Sequence, residues 1–159
     1  MSLEQRLARL ERDVTELRAT EALRRLLSQY AVAVDDRQPD LLRRVFTEDA
    51  HVAVPAWSVD VRGGDAVLAF YEDYWTRFAN PRRYFANADY RVTGTAATCF
   101  MYWHVTQERH DRAVLGWGTY DWRFRRDGIE WRIAAVTIDI RAMTTLEAGW
   151  AGARRFTDA

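Results

Sequence analysis

Four long stretches rich in aromatic and β-branched residues fill the second half of the chain and constrain its fold more than any other feature. Residues 84–92, 96–107, 113–125 and 131–142 read as strands. Gly94, the Glu108-Arg109-His110-Asp111 segment and Asp127-Gly128 supply the hairpin turns between them. Strands of this length curl, and a curled antiparallel sheet carries helices on its concave side. Such an arrangement encloses a cavity.

The first half supplies the helices. Leu3, Leu7, Leu10, Val14 and Leu17 recur at alternating spacings of four and three, the seam of a helix packing on another helix. The seam is too short for an independent coiled coil, so this helix is expected to lie on its own domain or on a sister subunit. The apolar phase then shifts to Leu23, Leu26, Leu27, Tyr30 and Val34. Thr20 either caps a second helix or lies inside one bent helix. Asp35-Asp36-Arg37-Gln38-Pro39 stops the run, because a residue before proline avoids the α region. Pro39 opens a helix that buries Leu41, Leu42, Val45 and Phe46. Residues 51–54 alternate as a short strand ended by Pro55, and residues 59–62 pair with it before Gly63-Gly64. Residues 65–79 form a helix that is apolar nearly all round and needs cover on more than one side. This divides the chain into an amphipathic helix at 1–18, one folded domain at 19–145 and a tail at 146–159, with a short helix fraying over 154–159.

At 159 residues the chain suits a single core. Basic and acidic residues balance at 23 each, which leaves no net field for nucleic acid or an anionic membrane. No apolar run reaches the roughly 20 residues of a membrane span, and the charged start is no signal peptide. A lone Cys99 excludes an internal disulfide, and the three histidines show no metal-ligand spacing. A cytoplasmic protein without metal is the expectation. Neither a phosphate loop nor a nucleophile elbow is present, and no cofactor is expected.

Tyr30 and Asp35 are the residues most open to a chemical reading. Five residues turn a helix by roughly 140°, so Asp35 has to sit at the helix end to share a pocket with Tyr30. Spacing alone allows a phenol donor beside an acid–base carboxylate. It equally allows a core tyrosine and a solvated helix stop. The segment from Tyr30 to Arg37, followed by Leu41-Leu42 and Phe46-Thr47-Glu48-Asp49-Ala50, resembles the opening of SnoaL-like proteins, in the scytalone dehydratase-like branch of the NTF2-like superfamily. The resemblance implies an α+β cone, with N-terminal helices packed in a strongly curved antiparallel sheet. Dehydratases, isomerases, polyketide cyclases and a dehydrochlorinase of that superfamily place catalytic or pocket residues at the matching Tyr and Asp. It also implies a homodimer or higher homo-oligomer.

The family pattern continues with a histidine four residues before an asparagine. Here Arg83 stands four before Asn87. An arginine keeps its proton and cannot serve as base. It either bridges to Asp35 or clamps a substrate oxygen through its fork. Strand alternation carries both Arg83 and Asn87 toward the cavity. His104 shares a face with Phe100 and Tyr102, which is either the cavity or the outer surface, and it is the best candidate base. His51 has weaker support, and His110 falls in a solvated turn. Asp139 either touches substrate or bridges to Arg141. Trp57, Trp103, Trp117, Tyr120 and Trp122 are walls of the cavity or of an oligomer interface.

Together these readings describe a cofactor-independent acid–base enzyme acting on a small, apolar, oxygenated molecule in the cone. Tyr30, Asp35 and His104 carry the proton transfers, and Arg83, Asn87, Trp57, Tyr120 and Asp139 hold the substrate. A dehydratase-type lyase comes first. A SnoaL-like isomerase or polyketide cyclase, or a non-catalytic ligand-binding or scaffold subunit, is the alternative.

Overall fold

The computed structural model describes residues 1–151, so the expected fraying at 154–159 lies outside the described residues. Helix α1 runs unbroken over Leu3–Asp35, with Thr20 inside it. Ser2 and Gln5 cap it reciprocally: the Gln5 amide donates to Ser2 Oγ at 3.2 Å and the Ser2 amide to Gln5 Oε1 at 2.8 Å. Its two halves differ in surroundings. From Ala19 onward Leu23, Leu27, Tyr30 and Val34 are buried, whereas Leu3 is 79% exposed and Leu17 69%. The first half therefore does not lie on its own domain.

Arg37 takes a left-handed φ of 53°, and the Gln38 amide closes the helix end on the Ala33 carbonyl at 2.8 Å. Pro39 then fills the first turn of α2 (Pro39–Val45). Strand β1 (Phe46–Val54), a 3-10 turn at Pro55–Trp57 and β2 (Val59–Arg62) lead into α3 (Gly64–Arg77). Three hairpins then link β3 (Ala79–Thr93), β4 (Ala96–Arg109), β5 (Arg112–Asp127) and β6 (Glu130–Thr145).

All six strands form one sheet in the order β2-β1-β6-β5-β4-β3. It is not wholly antiparallel: β1 and β6 pair in parallel, with His51 beside Ala135 and Val52 beside Val136. The long excursion through β2, α3 and three hairpins brings β6 back in the direction of β1, which no short hairpin can do. Strand β1 also begins earlier than alternation suggests, because Glu48 and Asp49 are exposed between buried Thr47 and Ala50.

The concave face carries the core. On β4 Ala97, Cys99, Met101, Trp103, Val105 and Gln107 point in, and the alternate residues point out. Register shifts at Ala86/Asp89 in β3 and Trp117/Gly118 in β5 bend the sheet around the helices. At the second bend β6 approaches so closely that a Cβ on Gly118 would collide with the Asp139 carbonyl oxygen and meet Trp103 Cζ2 at 3.0 Å. Gly118→Ala is expected to cost about 3 kcal/mol. Gly94→Ala, at a left-handed turn with open space around it, is expected to cost about 1 kcal/mol. Urea unfolding of the two variants checks the contrast.

Candidate active site

The cone is lined from four directions. Tyr30 comes from α1, Tyr71 and Tyr74 from α3, Arg83 from β3, and Trp103, Gln107, Tyr120, Ile138 and Met143 from the sheet. The cavity has a volume of about 40 Å³. The space is a slot between aromatic rings.

Tyr30 is fully buried, its ring edge-on to Trp122 at 5.0 Å and to Tyr120 at 6.4 Å. Its hydroxyl shares a hydrogen bond with the Tyr71 hydroxyl at 3.0 Å. Tyr74 donates to Gln107 Oε1 at 2.6 Å. Burial raises the pKa of Tyr30, Tyr71, Tyr74 and Tyr120 above the ordinary value, with the Tyr71 charge adding to it at Tyr30. These phenols donate hydrogen bonds and do not ionise near neutrality.

Asp35 is the last residue of α1, as the helix geometry requires. Arg83 claims both of its oxygens: Nε donates to Oδ1 at 2.6 Å and the backbone amide to Oδ2 at 2.9 Å. The two side chains are only 7% and 10% exposed. Burial alone would lower the Arg83 pKa, but its interactions with Tyr74, Tyr120, Tyr30 and Asp35 outweigh that and raise it. The guanidinium is permanently charged. Its Nη1 reaches the Tyr30 hydroxyl only at 3.5 Å and Nη2 the Tyr74 hydroxyl at 3.4 Å, beside the two ring faces at 5.7 and 5.8 Å. Asp35 stands behind Arg83 and does not line the cavity.

Of the expected site residues, the structure brings Tyr30, Arg83, Trp57 and Tyr120 to the cavity. It separates the others. His104 is exposed on the outer face of β4 beside Tyr84, because its strand phase is opposite to that of Trp103 and Val105. His51 bonds Asp60 Oδ1 at 2.8 Å on the β1–β2 ribbon, and His110 is exposed in its turn. Asn87 sits in the β3 bulge at φ 55°, which breaks the alternation that linked it to Arg83. It faces a groove against Arg24 and Ser28 of α1. Asp139 is exposed on the outer face and accepts from Arg141 Nε at 3.3 Å. Trp103 lines the cavity and Trp122 the core behind it, whereas Trp117 turns outward against Trp150 at 6.1 Å.

Sequence reasoning missed Tyr71, Tyr74 and Gln107 as site residues. The signal for Gln107 was a polar residue in the inward phase of β4. The two tyrosines read only as core in a helix that is apolar nearly all round. Among the described residues the lining contains neither carboxylate nor imidazole, and no cluster of three metal-ligating side chains occurs.

A family model described as a SnoaL-like domain matches residues 15–137. Several solved structures share the fold. The hexachlorocyclohexane dehydrochlorinase LinA-type3 from Novosphingobium barchaimii is 20% identical with a TM-score of 0.78, over 91% of this chain and 97% of that one. A candidate scytalone dehydratase from Novosphingobium aromaticivorans is 19% identical with a TM-score of 0.77, over 92% and 99%. Rv3472 of Mycobacterium tuberculosis, a protein of unknown function, is 20% identical with a TM-score of 0.73, over 80% and 75%. No curated protein matches the chain in sequence. At these identities the likeness is one of fold, the NTF2-like cone.

Two expectations follow from the buried charges. Arg83→Met strands a desolvated carboxylate at Asp35 and is expected to cost about 3–5 kcal/mol. Urea unfolding checks the loss, and Arg83→Met combined with Asp35→Leu should recover most of it. The tyrosines give the second. Their folded pKa values lie above the unfolded value of about 10, so the stability they contribute is complete below pH 10 and falls as pH rises beyond it. Phenolate absorbance and far-UV circular dichroism should then change together in an alkaline titration.

Proposed function

The chain belongs to the SnoaL-like domain family, and from that premise we propose that its cone takes up one small, flat, largely apolar molecule and seats an oxygen of it on Arg83. The observation that carries this is the division of labour within the guanidinium. Nε is committed to Asp35 at 2.6 Å, while the two terminal nitrogens make only long contacts to tyrosine hydroxyls. A carbonyl, phenolate or carboxylate oxygen in the slot gains two charge-assisted donors from them, with Tyr30 and Tyr74 beside it. The aromatic walls stack on a planar ring.

Reaction or mere binding turns on Asp35. In the first reading the Asp35–Arg83 pair stays closed and the protein binds its ligand without proton transfer. The pair uses both carboxylate oxygens, and among the described residues no other base lines the slot. The second reading is an acid–base enzyme of the dehydratase type, with an isomerase or cyclase using the same groups. It is favoured by the continuous chain from Tyr30 through Arg83 to Asp35. An incoming oxyanion draws the Arg83 side chain off Oδ1 and so opens Asp35, which stands behind it, to the slot, where its freed oxygen accepts the proton from the substrate carbon. The C–O bond breaks, and Tyr30 donates the proton that makes the departing hydroxyl water. The neighbours described as dehydrochlorinase and scytalone dehydratase support that class of chemistry for the fold.

Quenching of tryptophan fluorescence separates the readings, because Trp57 and Trp103 line the slot. Titration with a small monocyclic ketone, the matching phenol and the matching carboxylate should show binding that Arg83→Gln weakens by about 10-fold or more. Asp35→Asn should leave binding within a few-fold under the first reading, and should abolish turnover of a β-hydroxy ketone under the second. Equal affinity of the wild type and Arg83→Gln for every probe would sink the proposal.

A further inference from the structure

Among the described residues, the exposed half of α1 has no partner within its own protomer. Leu3, Leu7, Leu10, Val14 and Leu17 are between 43% and 79% exposed, on a stretch of roughly 21 Å at 1.5 Å per residue. At ~100° per residue, this stripe points about 180° away from the stripe of Leu23, Leu26, Leu27, Tyr30 and Val34 that packs into the cone. The helix cannot bend its apolar seam back onto the domain it belongs to. A partner on that face meets the helix with the cone on the far side, out of its way.

We propose that the partner is a second copy of this chain, aligned parallel and in register. The flanking charges select that arrangement. With Leu7 and Val14 at the a positions and Leu3, Leu10 and Leu17 at the d positions, the flanks are Arg6 and Asp13 at g, and Glu4, Glu11 and Arg18 at e. In a parallel pair each g residue meets the e residue five positions on. Arg6 then faces Glu11 of the partner subunit, and Asp13 faces Arg18 of the partner subunit. Symmetry doubles both contacts, and all four are attractive. Antiparallel pairing that keeps four apolar layers has two registers. One pairs Arg6 with Asp13 of the partner subunit but sets Glu4 against Glu11 of the partner subunit. The other pairs Glu4 with Arg18 of the partner subunit but sets Glu11 and Asp13 each against its own copy, so in both registers repulsion offsets attraction. The seam also ends where it must: the next a position is Glu21, exposed and bonded to Arg25 at 3.1 Å. A carboxylate there meets its copy and parts the helices just before the two cones begin.

A five-layer seam is short, so association is concentration-dependent and sensitive to salt. Sedimentation of the full chain from about 1 to 100 μM is expected to show self-association that Val14→Glu weakens by about 100-fold or more, since an unpaired charge then enters the seam. Val14 is exposed in the protomer, so circular dichroism should be unchanged by that substitution. Leu3→Cys tests direction: at a d position it should oxidise to a disulfide-linked dimer only in parallel register, and Cys99 is buried and does not compete. Three outcomes overturn the proposal. These are a wild type that stays monomeric throughout, with or without binding of the helix to another protein or to vesicles; an assembly unmoved by Val14→Glu; and a dimer in which Leu3→Cys fails to cross-link to itself.

Discussion

The contact between Asp35 and Arg83 holds the architecture of the cone together. It joins the last residue of α1 to the first inward-facing part of β3, so it fixes where the long helix ends relative to the sheet that wraps it. Two buried charges have a large desolvation cost, and only the short, two-point geometry offsets it. The same pair sets the chemistry. It puts a permanent positive charge at the inner end of the slot and withdraws the carboxylate that would otherwise be the nearest base. A histidine in place of Arg83 could pass a proton; the arginine can only hold one.

Around that charge the cone is built from tyrosines in place of acids and bases. Tyr30, Tyr71, Tyr74 and Tyr120 surround Arg83 with rings and hydroxyls, so the guanidinium is stabilised by π faces and phenol dipoles as well as by Asp35. A site of this make-up is good at receiving electron density on oxygen and poor at removing protons from carbon. Its narrowness comes from the same residues, because rings that solvate the cation also fill the volume.

Much of the fold was legible because its signals were long and local. Strand alternation in β3 to β6 and the single helix stop over Asp35-Asp36-Arg37-Gln38-Pro39 needed only neighbouring residues to read. The parallel pairing of β1 with β6 was not legible, since nothing in either strand names a partner some 85 residues away. The site divided in the same manner. Tyr30, Arg83 and the walls Trp57 and Tyr120 followed from resemblance and periodicity, and they reach the cavity. Asn87 failed because a bulge two residues long reverses alternation without a proline or glycine to announce it. His104 and Asp139 failed because periodicity sorts residues into two faces and does not say which face is concave. Tyr71, Tyr74 and Gln107 went unread because an aromatic helix and a lone inward glutamine look like core until the space between them is seen.

Strand β6 is the last element of the domain in sequence, yet it lies in the interior of the sheet between β1 and β5. Until it emerges during synthesis, the nascent chain holds a two-stranded ribbon, β1–β2, and a three-stranded meander, β3–β5, with no shared edge. Neither piece can close the slot, and both expose strand edges that invite pairing with other chains. Joining Phe46 to Ile133 also closes one of the longest loops in the molecule, which places this step among the slow ones. The slot thus closes all at once, when β6 joins the sheet, and a chain that stops short of residue 130 has most of the lining residues but no vessel to hold them.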